Sequence, residues 1–222
     1  MSKTAIMIPA RYGSTRFPGK PLADLAGKTM IERVYETCLE SGLDTYVLTD
    51  DERVAEKIGA GCIVDKADYA NGTERCAGGT KYLPEYYDRI INVQGDMPDI
   101  TVDIISQVCD AMNYHSLVTA YTIMDPALRA DPNTVKIVVG NQMSCWFGRG
   151  FTYGEHHLGI YGYRRFYLEQ YLTWPPSAEE EIEKLEQLRW LANDMQFGSL
   201  QVEFSGVEIN TPKDQEKWNE SR

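Results

Sequence analysis

The stretch TAIMIPARYGSTRFPGKP, residues 4–21, decides the fold: an apolar run passes without a break into a loop that holds Gly13, Pro18, Gly19 and Pro21 together with Arg11, Arg16 and Lys20. An apolar run closed by such a loop predicts a buried strand, and a glycine-bearing loop free of acids behind a strand predicts an anion site. It is not the P-loop. That pattern needs four residues between its first glycine and the Gly-Lys pair, then a hydroxyl residue to hold a metal. Here five residues, STRFP, separate Gly13 from Gly19, and Pro21 stands where the hydroxyl would be. Pro18 and Pro21 also oppose a helix starting at the lysine. The loop is therefore expected to stay extended, with backbone N–H groups and cations gathered round a polyphosphate. Lys20 would act as a point charge, and Arg11 or Arg16 would grip two oxygens. The pattern alone equally allows a solvated surface loop with incidental cations.

Outward from that loop, short apolar runs alternate with amphipathic stretches, the order of a mostly parallel sheet flanked by helices. Strands are expected over 4–8, 45–49, 62–64, 89–93 and 117–123. Met30, Ile31, Val34, Tyr35 and Cys38 recur at helical spacing, with Gly42 where a C-cap belongs. Further helices are expected near Asp51 and over 102–112, the latter capped by Thr101. Ligands of such sheets bind beyond the carboxyl ends of the strands, and that rim collects the loops 11–21, 50–51 and 94–96. The second half is less regular. Residues 135–139 and 144–147 read as a hairpin turning at Gly140-Asn141, and 158–163 as a strand. Residues 177 to about 195 read as one helix opened by Ser177 and Glu180, and Thr211, Pro212 and Asp214 as the start of a last helix. No linker or repeat interrupts the 222 residues, which read as one α/β domain.

A formal net charge of −11 would repel nucleic-acid backbones and anionic membranes. Neither is expected as a partner, and residues 11–20 are a local basic exception. Cys38, Cys62, Cys76, Cys109 and Cys145 lie far apart in an odd number, which signals neither a disulfide framework nor a zinc site. No stretch approaches the ~20 apolar residues of a membrane span, and the first residues lack a signal-peptide core. A cytoplasmic protein is expected.

IPARYGSTRFPGKPL resembles the signature of the CMP-sugar synthetases, most closely that of the 3-deoxy-manno-octulosonate (KDO) cytidylyltransferases. The resemblance continues in order through LTDDE (48–52), NGTER (71–75), NVQGDMP (92–98), PNTVKIV (132–138), HLGIYGYR (157–164), LEQLR (185–189) and NTPKD (210–214). It implies a Rossmann-like nucleotide-diphospho-sugar transferase fold with a smaller antiparallel acceptor and dimerisation region. It further implies a homodimer and an Mg²⁺-dependent reaction in which the anomeric hydroxyl of a KDO-like acid attacks the α-phosphate of CTP. Such chemistry asks mainly for alignment and charge stabilisation. Carried over by motif, Arg11, Lys20 and Asp96 are the catalytic residues. The nucleotide is implied to lie against Pro9, Ala10, Arg11, Gly13, Ser14, Arg16, Lys20, Thr73, Arg75 and Gln94. The sugar is implied to lie against Arg149, His157, Tyr161, Glu186 and Gln187, and the metal on Asp96 and Asn210.

The residues also have plainer readings. Without the resemblance, Glu186 and Gln187 are an exposed helix face, Tyr161 a core aromatic, Asp96 a helix cap and Arg75 the partner of a nearby acid. The sequence departs from the family at three places. Asn210 stands where an aspartate is usual, which removes a charge from the metal shell; Glu208 would share its face if the segment is extended. Met97 replaces a glutamate, and the segment between Arg149 and His157 is short. Two alternatives therefore stay open: transfer to another 2-keto acid, 8-amino-KDO or sialic-acid-like, and a catalytically impaired nucleotide- or sugar-binding homologue.

Overall fold

The computed structural model describes residues 3–13 and 17–222. Its centre is β1 (Lys3–Ala10), buried on both faces as its unbroken apolar run requires. After the loop, β2 (Asp24–Leu25) and β3 (Lys28–Thr29) form a small hairpin that leads into α1 (Met30–Glu40). Thr29 and Glu32 close a capping box there, and Met30, Ile31, Val34 and Cys38 are buried. Gly42, at φ +76°, lets the chain leave that helix. Next come β4 (Asp44–Thr49), α2 (Glu52–Ile58) capped by Asp51, β5 (Cys62–Val64), α3 (Gly72–Gly79), β6 (Tyr87–Val93), and α4 (Val102–Ala111) capped by Thr101. The second half supplies β7 (Leu117–Thr122), β8 (Lys136–Gly140), β9 (Met143–Gly148), β10 (Glu155–Arg164), α5 (Arg165–Tyr171), α6 (Ala178–Glu183), α7 (Gln187–Leu191), β11 (Gly198–Gln201) and α8 (Pro212–Glu220).

Among the described residues the main sheet runs β5-β4-β1-β6-β10-β7-β11-β9-β8. β1 pairs parallel with β4 and β6, and β4 with β5, so the first half is the expected parallel sheet. β10 runs antiparallel between β6 and β7, and β8 and β9 complete an antiparallel region at the far edge. One face of the sheet packs α1, α2 and α4 through an aliphatic cluster that includes Ile31, Val34, Ile104, Ile105 and Val108. Each such side chain contributes about 1.5–3 kcal/mol on burial. The other face packs α3, α5 and α7 through a cluster dominated by Tyr161, Tyr163, Tyr171, Trp190 and Phe197.

Three expectations change. The loop does not stay extended through Pro21: Gly19, at φ +73°, turns the chain into a single 3-10 turn over Lys20–Leu22 that takes Pro21 in its first turn. The hairpin turns one residue later than expected, at Asn141 and Gln142, both with positive φ. The stretch from 177 is two helices. Lys184 adopts φ +56° at the end of α6, and the break lets Leu185, Gln187, Leu188 and Arg189 all turn inward. The 177–195 periodicity alone could not show it. The sequence reading also omitted α3, α5, β11 and the small hairpin.

Candidate active site

The rim begins where β1 and β4 end. Thr49 Oγ1 donates to the carbonyl of Ala10 at 2.8 Å, and the N–H of Tyr12 donates to Asp50 Oδ1 at 3.2 Å. The end of β6 lies beside them. Glycine at 95 relieves a close approach, since a Cβ there would stand 3.0 Å from the Pro9 carbonyl oxygen. The 3-10 turn then swings Lys20 across the rim, where Lys20 Nζ lies 2.7 Å from Asp96 Oδ2. Pro9, Ala10, Arg11, Lys20, Gln94 and Asp96 line one cleft of about 140 Å³. Arg11 is exposed at its mouth. Three loops, far apart in sequence, thus place cations and a carboxylate round one small opening. Ser14 and Arg16 lie outside the described residues.

A second wall is built from the C-terminal segment. The N–H of Ile209 donates to the Asp96 carbonyl at 3.0 Å, and the Ile209 side chain is buried with Phe17, Leu25, Met30 and Trp218. Glu208 is thereby set near Asp96, and Lys20, the N–H of Gly159 and Arg149 also surround its carboxylate. Burial, and then the charge of Asp96, push the Glu208 carboxyl up to about 7. Asn210 follows on the same segment, its N–H donating to Asp214 Oδ2. Among the described residues no group of three His, Cys, Asp or Glu side chains forms a metal cluster. The donor set still suits Mg²⁺, which takes one or two carboxylates and completes its shell with water and substrate phosphates. Asp96 and Glu208 are hard oxygen donors whose mutual repulsion a divalent cation would relieve.

Behind the rim the groups are buried, with Glu186 half-buried at their edge. Glu186 accepts from the N–H of Thr73 and from Gln94 Nε2, each at 3.1 Å, and burial pushes its carboxyl up to about 7. Gln187 Nε2 donates to the Tyr161 hydroxyl at 2.8 Å. Both Asn92 amide atoms and Gln187 Oε1 are buried with no hydrogen-bond partner, and Asn92 is the cross-strand neighbour of Tyr161. His157 lies within 3.0 Å of Thr119 Oγ1. That hydroxyl donates to the Ile160 carbonyl, so His157 Nε2 carries the proton and donates to Thr119. Burial pushes the His157 pKa down to about 3, and the ring stays neutral.

Of the residues singled out in the sequence, Pro9, Ala10, Arg11, Lys20, Gln94 and Asp96 meet in the cleft, and Gly13 follows on the same loop. Glu186 joins them through Gln94, and Asn210 through the segment hydrogen-bonded to Asp96. Tyr161 and Gln187 form a buried pair one layer deeper, and His157 lies beyond Tyr161, the two rings 5.5 Å apart. Thr73 serves Glu186 through its N–H, and its hydroxyl faces the Tyr163 hydroxyl at 3.3 Å. Arg75 is buried behind the loop, where it donates to the Asp65 carbonyl and faces Asp50. The Arg149 guanidinium donates to the carbonyls of Pro132 and Asn133. Met97 is fully buried in the aliphatic cluster and does not line the cleft. Sequence reading placed Asp50 on the rim and Asn71 in a matched motif but gave neither a role. Asn71 caps α3 through the N–H of Glu74, and an asparagine three residues ahead of a glutamate was the available signal.

Comparison with known proteins agrees with this fold. The sequence model of the cytidylyltransferase family matches residues 5–197. A 3-deoxy-manno-octulosonate cytidylyltransferase of Alcanivorax borkumensis is 38% identical over 214 residues, 85% of either chain. An 8-amino-3,8-dideoxy-manno-octulosonate cytidylyltransferase of Shewanella amazonensis is 38% identical over 230 residues, 94% of either chain. A solved CMP:2-keto-3-deoxy-manno-octonic acid synthetase in complex with CTP superposes with a TM-score of 0.90 at 35% identity, covering 99% of this chain and 98% of its own. A putative glucose-1-phosphate thymidylyltransferase from Bacillus anthracis, at 15% identity and a TM-score of 0.71, shares the fold alone.

Proposed function

Because the chain belongs to the cytidylyltransferase family, with the KDO enzymes among its relatives, we propose that it transfers the cytidylyl group of CTP to the anomeric hydroxyl of a KDO-like acid. The observation that carries this reading is the meeting of Lys20 and Asp96, 2.7 Å apart, in the cleft that Arg11 overlooks. A triphosphate entering there meets the Lys20 ammonium and the Arg11 guanidinium, while Gly95 leaves the backbone open to its oxygens. The acceptor oxygen bonds to the α-phosphorus as the bond to the β-phosphate bridging oxygen breaks. Pyrophosphate leaves with the electron pair, and the hydroxyl proton is lost. Neutralising the charge that gathers on the leaving group is the main task of the protein.

Mg²⁺ would be held by Asp96, with Glu208 taking the charge that Asn210 does not provide, and would add neutralising charge at the phosphates. The acceptor is read by the layer behind Gln94. Glu186, Tyr161 and Gln187 are polar, and the orphaned amides of Asn92 and Gln187 are groups that hydroxyls could satisfy. A second acceptor, the 8-amino analogue, is favoured by the Shewanella relative, whose alignment covers 94% of either chain. The same reading includes a homodimer working in the cytoplasm, and among the described residues no helix is long and apolar enough to cross a membrane. Light scattering tests the dimer.

The decisive assay incubates the protein with CTP, Mg²⁺ and each acid in turn and follows pyrophosphate. Release is expected with KDO or its 8-amino analogue, and Asp96→Asn should lower kcat roughly a hundredfold. Tight CTP binding without pyrophosphate from any acid would establish the impaired homologue instead. For the metal, Glu208→Gln should weaken Mn²⁺ binding, measured by electron paramagnetic resonance, and raise the Mg²⁺ needed for half-maximal activity. Unchanged metal affinity removes Glu208 from the shell.

A further inference from the structure

Arg11 sits between two anchors, and both come from the end of β4. On one side Thr49 Oγ1 holds the carbonyl of Ala10, and on the other Asp50 Oδ1 holds the N–H of Tyr12, at 2.8 and 3.2 Å. The backbone of Arg11 is thus pinned fore and aft while its side chain stays exposed at the cleft. The second Asp50 oxygen faces Arg75 Nη2 at 3.5 Å. Arg75 is only 3% exposed. It also donates to the Asp65 carbonyl at 3.2 Å and lies 5.3 Å from the centre of the Tyr69 ring. The neighbouring acid supports the same residue from above: Asp51 grips Arg53 through two bonds of 2.8 and 2.7 Å, and the Arg53 guanidinium covers the Tyr12 ring at 3.6 Å. One acid therefore holds the Tyr12 backbone and the other, through Arg53, its ring.

Resting on the cytidylyl-transfer reading, we propose that Asp50 is a positioning residue for the phosphate-gripping loop, fixing Arg11 through the Tyr12 N–H, with Arg75 as the buried cation that fixes Asp50. A guanidinium that must meet a polyphosphate in one geometry gains from a backbone that cannot drift, and a carboxylate held from behind supplies that restraint. Arg75 then acts on the nucleotide without touching it. The arrangement also explains why an arginine in a motif shared with nucleotide-binding relatives is buried away from the cleft.

The test measures CTP affinity by calorimetry and the separate KM values for CTP and the sugar acid, in the full-length protein and in Asp50→Ala and Asp50→Asn. Asp50→Ala should weaken CTP about tenfold, the loss of one hydrogen bond to a charged group, while the KM for the acid stays within about twofold. Asp50→Asn can satisfy the Tyr12 N–H or Arg75 but not both, and should fall between, at about threefold. Equal losses for CTP and the acid, or an Asp50→Ala protein that binds CTP as well as wild type, overturn the proposal. If Asp50→Ala does not fold, the CTP-selective loss in Asp50→Asn decides, and its absence is fatal. Wild type that binds no CTP removes the functional reading and this inference together, whereas wild-type binding with an indifferent Asp50 removes the inference alone.

Discussion

The two faces of the sheet solve different problems. Under α1 and α4 the packing is almost purely aliphatic, Ile and Val against Ile and Val, and no hydrogen bond is needed to hold it. Under α3, α5 and α7 the packing is aromatic and threaded by polar groups: Thr73, Arg75, Asn92, His157, Gln187 and Arg189 are all buried there. The aliphatic face is tolerant, because area alone sets its strength. The aromatic face is conditional, since each buried polar group is stabilising only while its partner is in place. The side of the sheet that carries the proposed acceptor groups is also the side most easily broken.

The sharpest way to break this contrast is Arg189. Its guanidinium is nearly fully buried, 2.7 Å from both Glu180 oxygens and 2.9 Å from Glu74. It ties α6 and α7 to the start of α3. Arg189→Met strands two partly buried acids and should cost about 3–5 kcal/mol in urea unfolding. A loss under about 1 kcal/mol would rank the cluster with surface ion pairs and erase the distinction between the faces.

A second test uses pH. The Glu186 carboxyl has a folded pKa of about 7, above the 4.5 of an unperturbed glutamate. Its stability contribution is therefore complete below about 4.5 and is lost as pH rises through 7. His157 has the opposite sign: its folded value of about 3 lies below the usual 6.5, so its contribution is complete above 6.5 and is lost as pH falls. Glu186→Gln should gain stability relative to wild type between about pH 4.5 and 7 and level off above it, and a constant difference would show that Glu186 does not titrate there. The smallest effect belongs to the other face. Ile104→Val should cost about 1 kcal/mol, the same at every pH, with the KM for CTP unchanged.

What could be read in the sequence follows the same division. β1, α1 and α4 were legible because their periodicity and caps are local, as Thr101 ahead of Val102 shows. The cleft was legible too, since each of its loops directly follows a strand. The break at Lys184 was not: its left-handed backbone lies between Glu180 and Arg189, which pair across it, and the helical period runs through it unmarked. Arg75 could be read as a nucleotide contact or as an ion-pair partner, because its acid lies 25 residues upstream, just past the end of β4. His157, Tyr161 and Gln187 stood out by motif, but their depth of burial depends on rings such as Phe147 and Phe197 contributed by distant strands.

The place of β10 has a consequence for how the chain is made. Residues 155–164 lie between β6 and β7, which are complete by residue 122. During synthesis those two strands emerge first and have no neighbour between them until about three quarters of the chain has left the ribosome. Their facing edges are open to wrong pairing through that interval. The Tyr161 and Gly159 contacts that close the gap also bring Asn92 and Gln94 their neighbours, so joining the two halves of the sheet and assembling the rim of the cleft are one late event.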